Sequence, residues 1–469
     1  MERLRTLFTP SKPSPGEYQR LDEEEADIQE GECEEEVPFS WAEYFIFVLI
    51  GVAMLWSWNM FLAAAPYFYT RFQSNPWILA NSQSSILTTS TIVNLISVLV
   101  LTNMQSGASY PFRIILSLLA NAVIFALLAI STTTFLGVPA PMYLAFVLLM
   151  VALAAWAAGL MQNGAFAFAA SFGRTEYTQG IMAGQGIAGI LPPLTQMLSY
   201  LAFTAPSSAD DQPTADDEPA DPSTGSTAAF IYFLTAVLIS AITLAAFIPL
   251  MRRQAQILQQ RAFAASLSPE PITVTTPLSP KQGPTRRKHI GILTLLAKLH
   301  WLAGAIFLSF ATSMFFPVFT GKILSVHDNS ISLFSPGAFI PLGFFAWNLG
   351  DLSGRVVAAL PFATWHRLLR CRHPAALFAV SVARTVFLPF YLLCNLHGKG
   401  AVVESDLFYL AVVQFPFGLT NGWLGASAMM AAAEWVDEEE REATGAFMGL
   451  CIVSGLAVGS VLSFTAAGI

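Results

Sequence analysis

The stretch Asn348-Leu-Gly-Asp-Leu-Ser-Gly-Arg355 lies inside an apolar run. Phe339-Ile-Pro-Leu-Gly-Phe-Phe-Ala-Trp347 precedes it and Val356-Val-Ala-Ala-Leu-Pro-Phe362 follows it. Read as one helix, Asp351 and Arg355 are four residues apart and share a face, with Asn348 one turn earlier on it. A carboxylate or guanidinium in a membrane-spanning segment is unfavourable by roughly 2.5–3.5 kcal/mol on insertion scales. Such groups face a bundle interior or a water-filled cavity, not lipid. The two charges can neutralise one another, which suits a neutral solute rich in hydrogen-bonding groups. The rival reading is a salt bridge that only locks this helix to a neighbour.

The rest of the chain agrees with a membrane setting. Of 469 residues, 54% are hydrophobic and 12% charged, against about 25% charged in ordinary globular proteins. From Arg113 to Arg174 sixty consecutive residues carry no Asp, Glu, Lys or Arg, and no water-facing surface can be built from them. The class is an all-α polytopic membrane protein. The net charge of −8 comes from acid concentrated in a few segments, and no basic stripe with interleaved aromatics points to nucleic acid. Cys33, Cys371, Cys394 and Cys451 lack metal-ligand spacing and read as free thiols. No nucleophile-base set, phosphate loop or His-x-x-x-His spacing is present, so neither an enzyme, a cofactor nor a metal is expected. The histidines fall mostly in loops or at helix ends.

Residues 1–40 read as a disordered acidic tail, without a signal peptide's apolar core. Within it, Tyr18-Gln-Arg-Leu21 fits a tyrosine-based sorting pattern for an adaptor, or stands there by chance. Eleven apolar stretches are each long enough to span, at about 20 residues apiece. They run over 41–68, 82–105, 112–135, 141–170, 178–203, 227–250, 297–320, 335–362, 374–396, 405–433 and 444–467. Residues 41–250 form a first bundle of six helices, with an acidic loop at 204–226. Residues 251–296 form a basic linker rich in Ser-Pro and Thr-Pro. Residues 297–469 form a second bundle of five. If the N-terminus is cytoplasmic, 19 of the 23 Lys and Arg fall on that side, Arg384 included. Only Arg71, Lys322 and Lys399 fall on the far side, and Arg355 is left in the membrane. This asymmetry places the N-terminus in the cytoplasm and the C-terminus outside it, with the linker cytoplasmic and the 204–226 loop on the far side. The address is the plasma membrane or the vacuole, and a monomer in the lipid bilayer is expected.

Several spans carry polar or small residues. Gly184-Gln-Gly-Ile-Ala-Gly189 spells a dinucleotide fingerprint, but it lies inside a membrane helix without the strand that motif needs. Gly180, Gly184 and Gly189 instead suit close helix packing, and Pro192-Pro193 should bend or break the helix. Helix 1 holds Trp58-Asn59, where Trp58 stacks on a planar ligand or fills space. Helix 4 holds Gln162, either interhelical glue or a donor and acceptor for a nucleobase edge. In helix 10, Pro416, Gly418 and Gly422 should favour local bending, and Asn421 with Gly422 read as packing residues.

On these residues the chain resembles the equilibrative nucleoside transporters, and looks most like fungal members. The matching pieces are Trp58-Asn59 with Tyr67-Phe68, Gln162, Tyr177-Thr178, and Met182-Ala-Gly-Gln-Gly186 with Gly189. Asn348, Asp351 and Gly354-Arg355 follow, then Asn421-Gly422. The resemblance covers about residues 41–467. It departs at Ser57, where many members carry Pro, and at Gly173-Arg-Thr-Glu176. It implies a major-facilitator-like fold, six helices plus five, with a central cavity for nucleosides and nucleobases as a further class. It also implies that Asp351 and Arg355 contact the ribose, with Asn348 on the same face. Gln162 would lie near the base, and Trp58 beside it.

Overall fold

Inside a bilayer a lone segment satisfies its own backbone polar groups only as a helix. The computed structural model describes residues 39–104, 109–203, 222–267, 290–327, 332–359, 373–463 and 465. Among them the chain forms eleven helical columns and, besides an isolated bridge between Ile323 and Leu396, no strand pairing. Helix α1 is Trp41–Ala63, continued past Ala64 by Ala65–Phe72; Pro66 enters the second piece in its first turn. Then come α2 (Pro76–Asn103), α3 (Tyr110–Thr134), α4 (Ala140–Ala170), α5 (Thr175–Phe203) and α6 (Pro222–Leu267). The second set is α7 (Ile292–Ser313, continued by Phe316–Thr320), α8 (Pro336–Val357) and α9 (Pro374–Ala383, extended by short turns to Leu393). It closes with α10 (Phe415–Glu434) and α11 (Arg441–Ser463).

Eight columns are apolar and long enough to cross a membrane by composition. The other three are α5, α8 and α10, with 29, 22 and 20 residues, so polarity and not length sets them apart. These three pack against one another. A helix shielded by neighbours need not be apolar all round, so the most polar spans mark the centre of the molecule. On either side each set has its own aromatic core. Phe61, Phe68, Phe125, Tyr143 and Phe233 build one, and Phe319, Phe339, Tyr391, Tyr409 and Phe417 the other. Helix ends meet as an alternating path requires. Tyr177 and Arg253 both reach Glu43 at one end, and Arg71 donates to the Phe135 and Val138 carbonyls at the other.

Four expectations change. Arg384 is buried in the α9 column and not solvated, so it drops out of the nineteen Lys and Arg counted toward a cytoplasmic side. Helix α6 begins at Pro222 and reaches Leu267. Its 46 residues extend about 69 Å, more than twice the hydrocarbon core, and take helix into both flanking loops. Helix α5 runs unbroken through Pro192 and Pro193. Helix α10 is regular past Pro416; the irregularity is a run of π-helical turns just before it, Phe408–Gln414. Residues 1–38 with Tyr18–Leu21 and Cys33, most of the 204–226 loop, linker residues 268–289 and residues 360–372 with Cys371 lie outside the described residues.

Candidate functional site

Helices α8 and α10 are held at backbone contact by glycines on both sides. Gly350 and Gly354 lie on the Phe415 and Leu419 carbonyls, and Gly418 and Gly422 on the Trp347 and Asp351 carbonyls. A Cβ at any of the four would overlap that backbone, so each helix presents a small-xxx-small face to the other. The close approach lets the Asn421 amide reach across: its Nδ2 donates to Asp351 Oδ1 at 2.7 Å.

Asp351 and Arg355 pair as their spacing requires, with Arg355 Nε donating to Asp351 Oδ2 at 2.7 Å. They are 3% and 5% exposed, so the pair is shielded from lipid and bulk water alike. Arg355 then crosses to α5, where its Nη1 donates to the Met182 carbonyl at 2.8 Å and to Gln185 Oε1 at 3.0 Å. Just below, Tyr44 Oη donates to Gln179 Oε1 at 2.8 Å, and Gln179 Nε2 donates to the Arg355 carbonyl at 3.0 Å. One guanidinium and one amide thus tie the first six helices to the last five at one level. A buried ion pair keeps its value only while every remaining lone pair and proton is satisfied, and here both carboxylate oxygens have donors.

The network continues into the second bundle. Ser309 on α7 donates to Asn421 Oδ1 at 3.1 Å, and the buried Arg384 donates to Ser309. Chemically this is an arrangement for holding and releasing hydrogen-bonding groups. Its carboxylate is neutralised, and no nucleophile paired with a base stands in it. Among the described residues no three His, Cys, Asp or Glu side chains gather as metal ligands.

The other expected residues fall into three places. Asn348 is half-buried on the α8 face of the pair; its Nδ2 donates to the Phe344 carbonyl, and its Oδ1 lies against Gly189. Gln162 is buried and donates to the Gly449 carbonyl of α11 at 3.3 Å, which is another contact between the two helix sets. Trp58 is half-buried against the aromatic core of the first set. Gly180 and Gly184 face Tyr44 and Val48 of α1, so α5 uses one glycine face for α1 and another, Gly186 and Gly189, for α8. Asn421 does more than pack, since it holds the carboxylate. Sequence reading missed Gln179, Gln185, Ser309 and Arg384. For Gln185 a signal existed, because it is an amide inside the apolar, glycine-rich α5.

A family described as nucleoside transporter matches residues 148–467. Over 456 residues the chain is 28% identical to the nucleoside transporter FUN26 of Saccharomyces cerevisiae, covering 90% of this chain and 83% of that one. It is 24% identical over 470 residues to human equilibrative nucleoside transporter 1, covering 90% and 96%. Among solved structures it resembles the proton:xylose symporter XylE, with a TM-score of 0.54 at 11% identity over 91% of this chain and 89% of that one. FucP in its outward conformation gives a TM-score of 0.52 at 15% identity, over 91% and 92%. Those two likenesses establish the major-facilitator fold. With the family match over most of the chain and the glycine-packed polar centre in place, the chain belongs to the equilibrative nucleoside transporter family and is of its fungal type.

Proposed function

We propose that this chain carries nucleosides across a membrane by alternating access, α1–α6 rocking against α7–α11 around the polar centre. The observation that carries this reading is Arg355. It pairs with Asp351 inside one helix set and bonds α5 of the other, so a solute competing for those bonds would loosen the link between the sets. Asp351 and Arg355 face the ribose hydroxyls, with Asn348 on the same face. Gln162 reads the base and Trp58 packs beside it. The Lys and Arg asymmetry supports a cytoplasmic N-terminus and a C-terminus on the far side, in a plasma or vacuolar membrane. Tyr18-Gln-Arg-Leu21 would serve a sorting adaptor, and a monomer suffices for the cycle.

Uptake of labelled uridine and adenosine by cells lacking their own nucleoside transport tests the reading. Saturable uptake is expected. Uptake of a sugar or drug instead, or none at all, would leave another transporter or a receptor as the account. A site built around hydroxyls rejects an analogue lacking one, because its polar groups are then left unsatisfied. Uridine should therefore compete better than its 2′-deoxy and 3′-deoxy analogues, and Asp351→Asn should flatten that ranking. Equal competition by all three in the native protein would remove Asp351 from the sugar.

A further inference from the structure

Arg384 is 2% exposed, and among the described residues no carboxylate lies within ion-pairing distance of it. Its acceptors are neutral. Nη1 reaches the Ser309 carbonyl at 2.6 Å, Ser309 Oγ at 3.0 Å and Thr312 Oγ1 at 3.0 Å. Nη2 reaches the Phe417 carbonyl at 3.1 Å, and the guanidinium sits 4.6 Å from the centre of the Phe417 ring. Three helices, α7, α9 and α10, therefore meet on one cation whose direct contacts are all neutral acceptors.

The chemistry of the donors and acceptors fixes the direction of these bonds. A guanidinium donates and never accepts, whereas a hydroxyl has one proton and two lone pairs. Ser309 Oγ accepts from Arg384, and its one proton goes to Asn421 Oδ1 at 3.1 Å. The neighbouring Thr312 and Ser313 spend their protons on carbonyls of their own helix; Ser309 sends its proton across to α10. With Oδ1 of Asn421 committed to Ser309, its Nδ2 is the end that faces Asp351 Oδ1, at 2.7 Å. The flipped amide would set an oxygen against the acceptor-only carboxylate and would take from the Ser309 proton the acceptor it has on α10.

We propose that Arg384 is a positioning residue that fixes the orientation of the Asn421 amide, and through it Asp351, by a one-way chain of hydrogen bonds through Ser309. The inference rests on the nucleoside reading of the Asp351 site. The acceptor-only carboxylate selects the Nδ2 end of Asn421 from α8, and Arg384 acting through Ser309 holds the other end of the amide from α7.

Ser309→Ala is the discriminating variant. It removes the hydroxyl link but leaves Arg384 its bonds to the Ser309 backbone carbonyl, Thr312 and the Phe417 carbonyl, so the fold anchor survives. Uridine uptake, amount at the cell surface and competition by 3′-deoxyuridine are measured for the native protein, Ser309→Ala and Ser309→Thr. The loss of one hydrogen bond in the chain should raise KM by about threefold to tenfold, with the maximal rate per surface molecule near native. The advantage of uridine over its 3′-deoxy analogue should shrink, and Ser309→Thr, which restores the hydroxyl, should recover both. Native KM and native discrimination in Ser309→Ala overturn the proposal. So does a fall in surface amount or maximal rate with KM unchanged, because that is what a purely structural hydroxyl would give. A native protein that takes up uridine while Ser309→Ala behaves as native defeats the positioning chain alone. A native protein that takes up no nucleoside defeats the transport reading and this inference with it.

Discussion

The two most extensive helix seams, α1 with α5 and α8 with α10, are built alike and used differently. In each, glycines bring backbones into contact: Gly51 and Gly184 in the first, Gly350, Gly354, Gly418 and Gly422 in the second. In each, one asparagine reaches across with a bond of 2.7 Å. Asn59 of α1 meets the Ala188 carbonyl of α5, whereas Asn421 of α10 meets the Asp351 carboxylate of α8. The Ala188 carbonyl needs an outside donor because Pro192, four residues on, has no N–H to give it. So the first asparagine repairs a helix, and the second holds a charge. Glycine seams alone do not mark a site; what the polar residue meets across the seam does.

The largest difference between the two seams lies at Arg355, which only the second seam carries. Arg355→Ala leaves Asp351 buried with Asn421 as its remaining donor, and breaking a buried pair costs roughly 3–5 kcal/mol. Transport should collapse and the detergent-purified protein should lose thermal stability. Asp351→Asn combined with Arg355→Gln, which removes both charges of the pair, should regain much of the stability without regaining transport. Normal uptake by well-expressed Arg355→Ala would remove the pair from both stability and function.

Next in size is Asn421→Ala. A hydrogen bond to a charged group contributes about 1.5–3 kcal/mol, against about 0.5–1.5 kcal/mol for a neutral one. Asn421→Ala should therefore lower stability more than Asn59→Ala, and should also raise KM for uridine. Thermal unfolding of the two variants side by side gives the ranking. Equal losses with unchanged KM would mean that the second seam, like the first, is scaffold only.

Much of this was legible before the fold was known, and the exceptions share a cause. The helices show as apolar runs because lipid demands about 20 such residues from each. Asp351 and Arg355 show as a pair because both partners lie on one helix, four residues apart. Asn421 was visible as a buried amide, but its partner is 70 residues away, so packing was the natural reading. Arg384 was assigned to the cytoplasm because counting Lys and Arg treats each as solvated. Its acceptors are carbonyls and hydroxyls on α7 and α10, and those leave no mark in sequence. Pro192-Pro193 reads as a bend or a break, and the helix is unbroken, because sequence shows the lost donor and not the replacement from α1.

That replacement gives the finest test of the two seams. If Asn59 serves only the carbonyl that Pro192 orphans, restoring the helix's own donor should make Asn59 dispensable. Asn59→Ala alone should lower stability by about 0.5–1.5 kcal/mol, the range for one neutral hydrogen bond. Pro192→Ala supplies an N–H at the position from which a helix bonds the Ala188 carbonyl. In that background Asn59→Ala should cost much less, and the double-mutant cycle should show coupling of about the same size as the single loss. No backbone substitution on α8 can replace Asn421 in this way, because its acceptor is a side-chain carboxylate. Thermal stability of the four proteins of the cycle, with uridine uptake alongside, decides the matter. Additive losses would mean that Asn59 acts elsewhere, and a fall in uptake that follows Asn59 and ignores Pro192 would move the first seam from scaffold into the solute path.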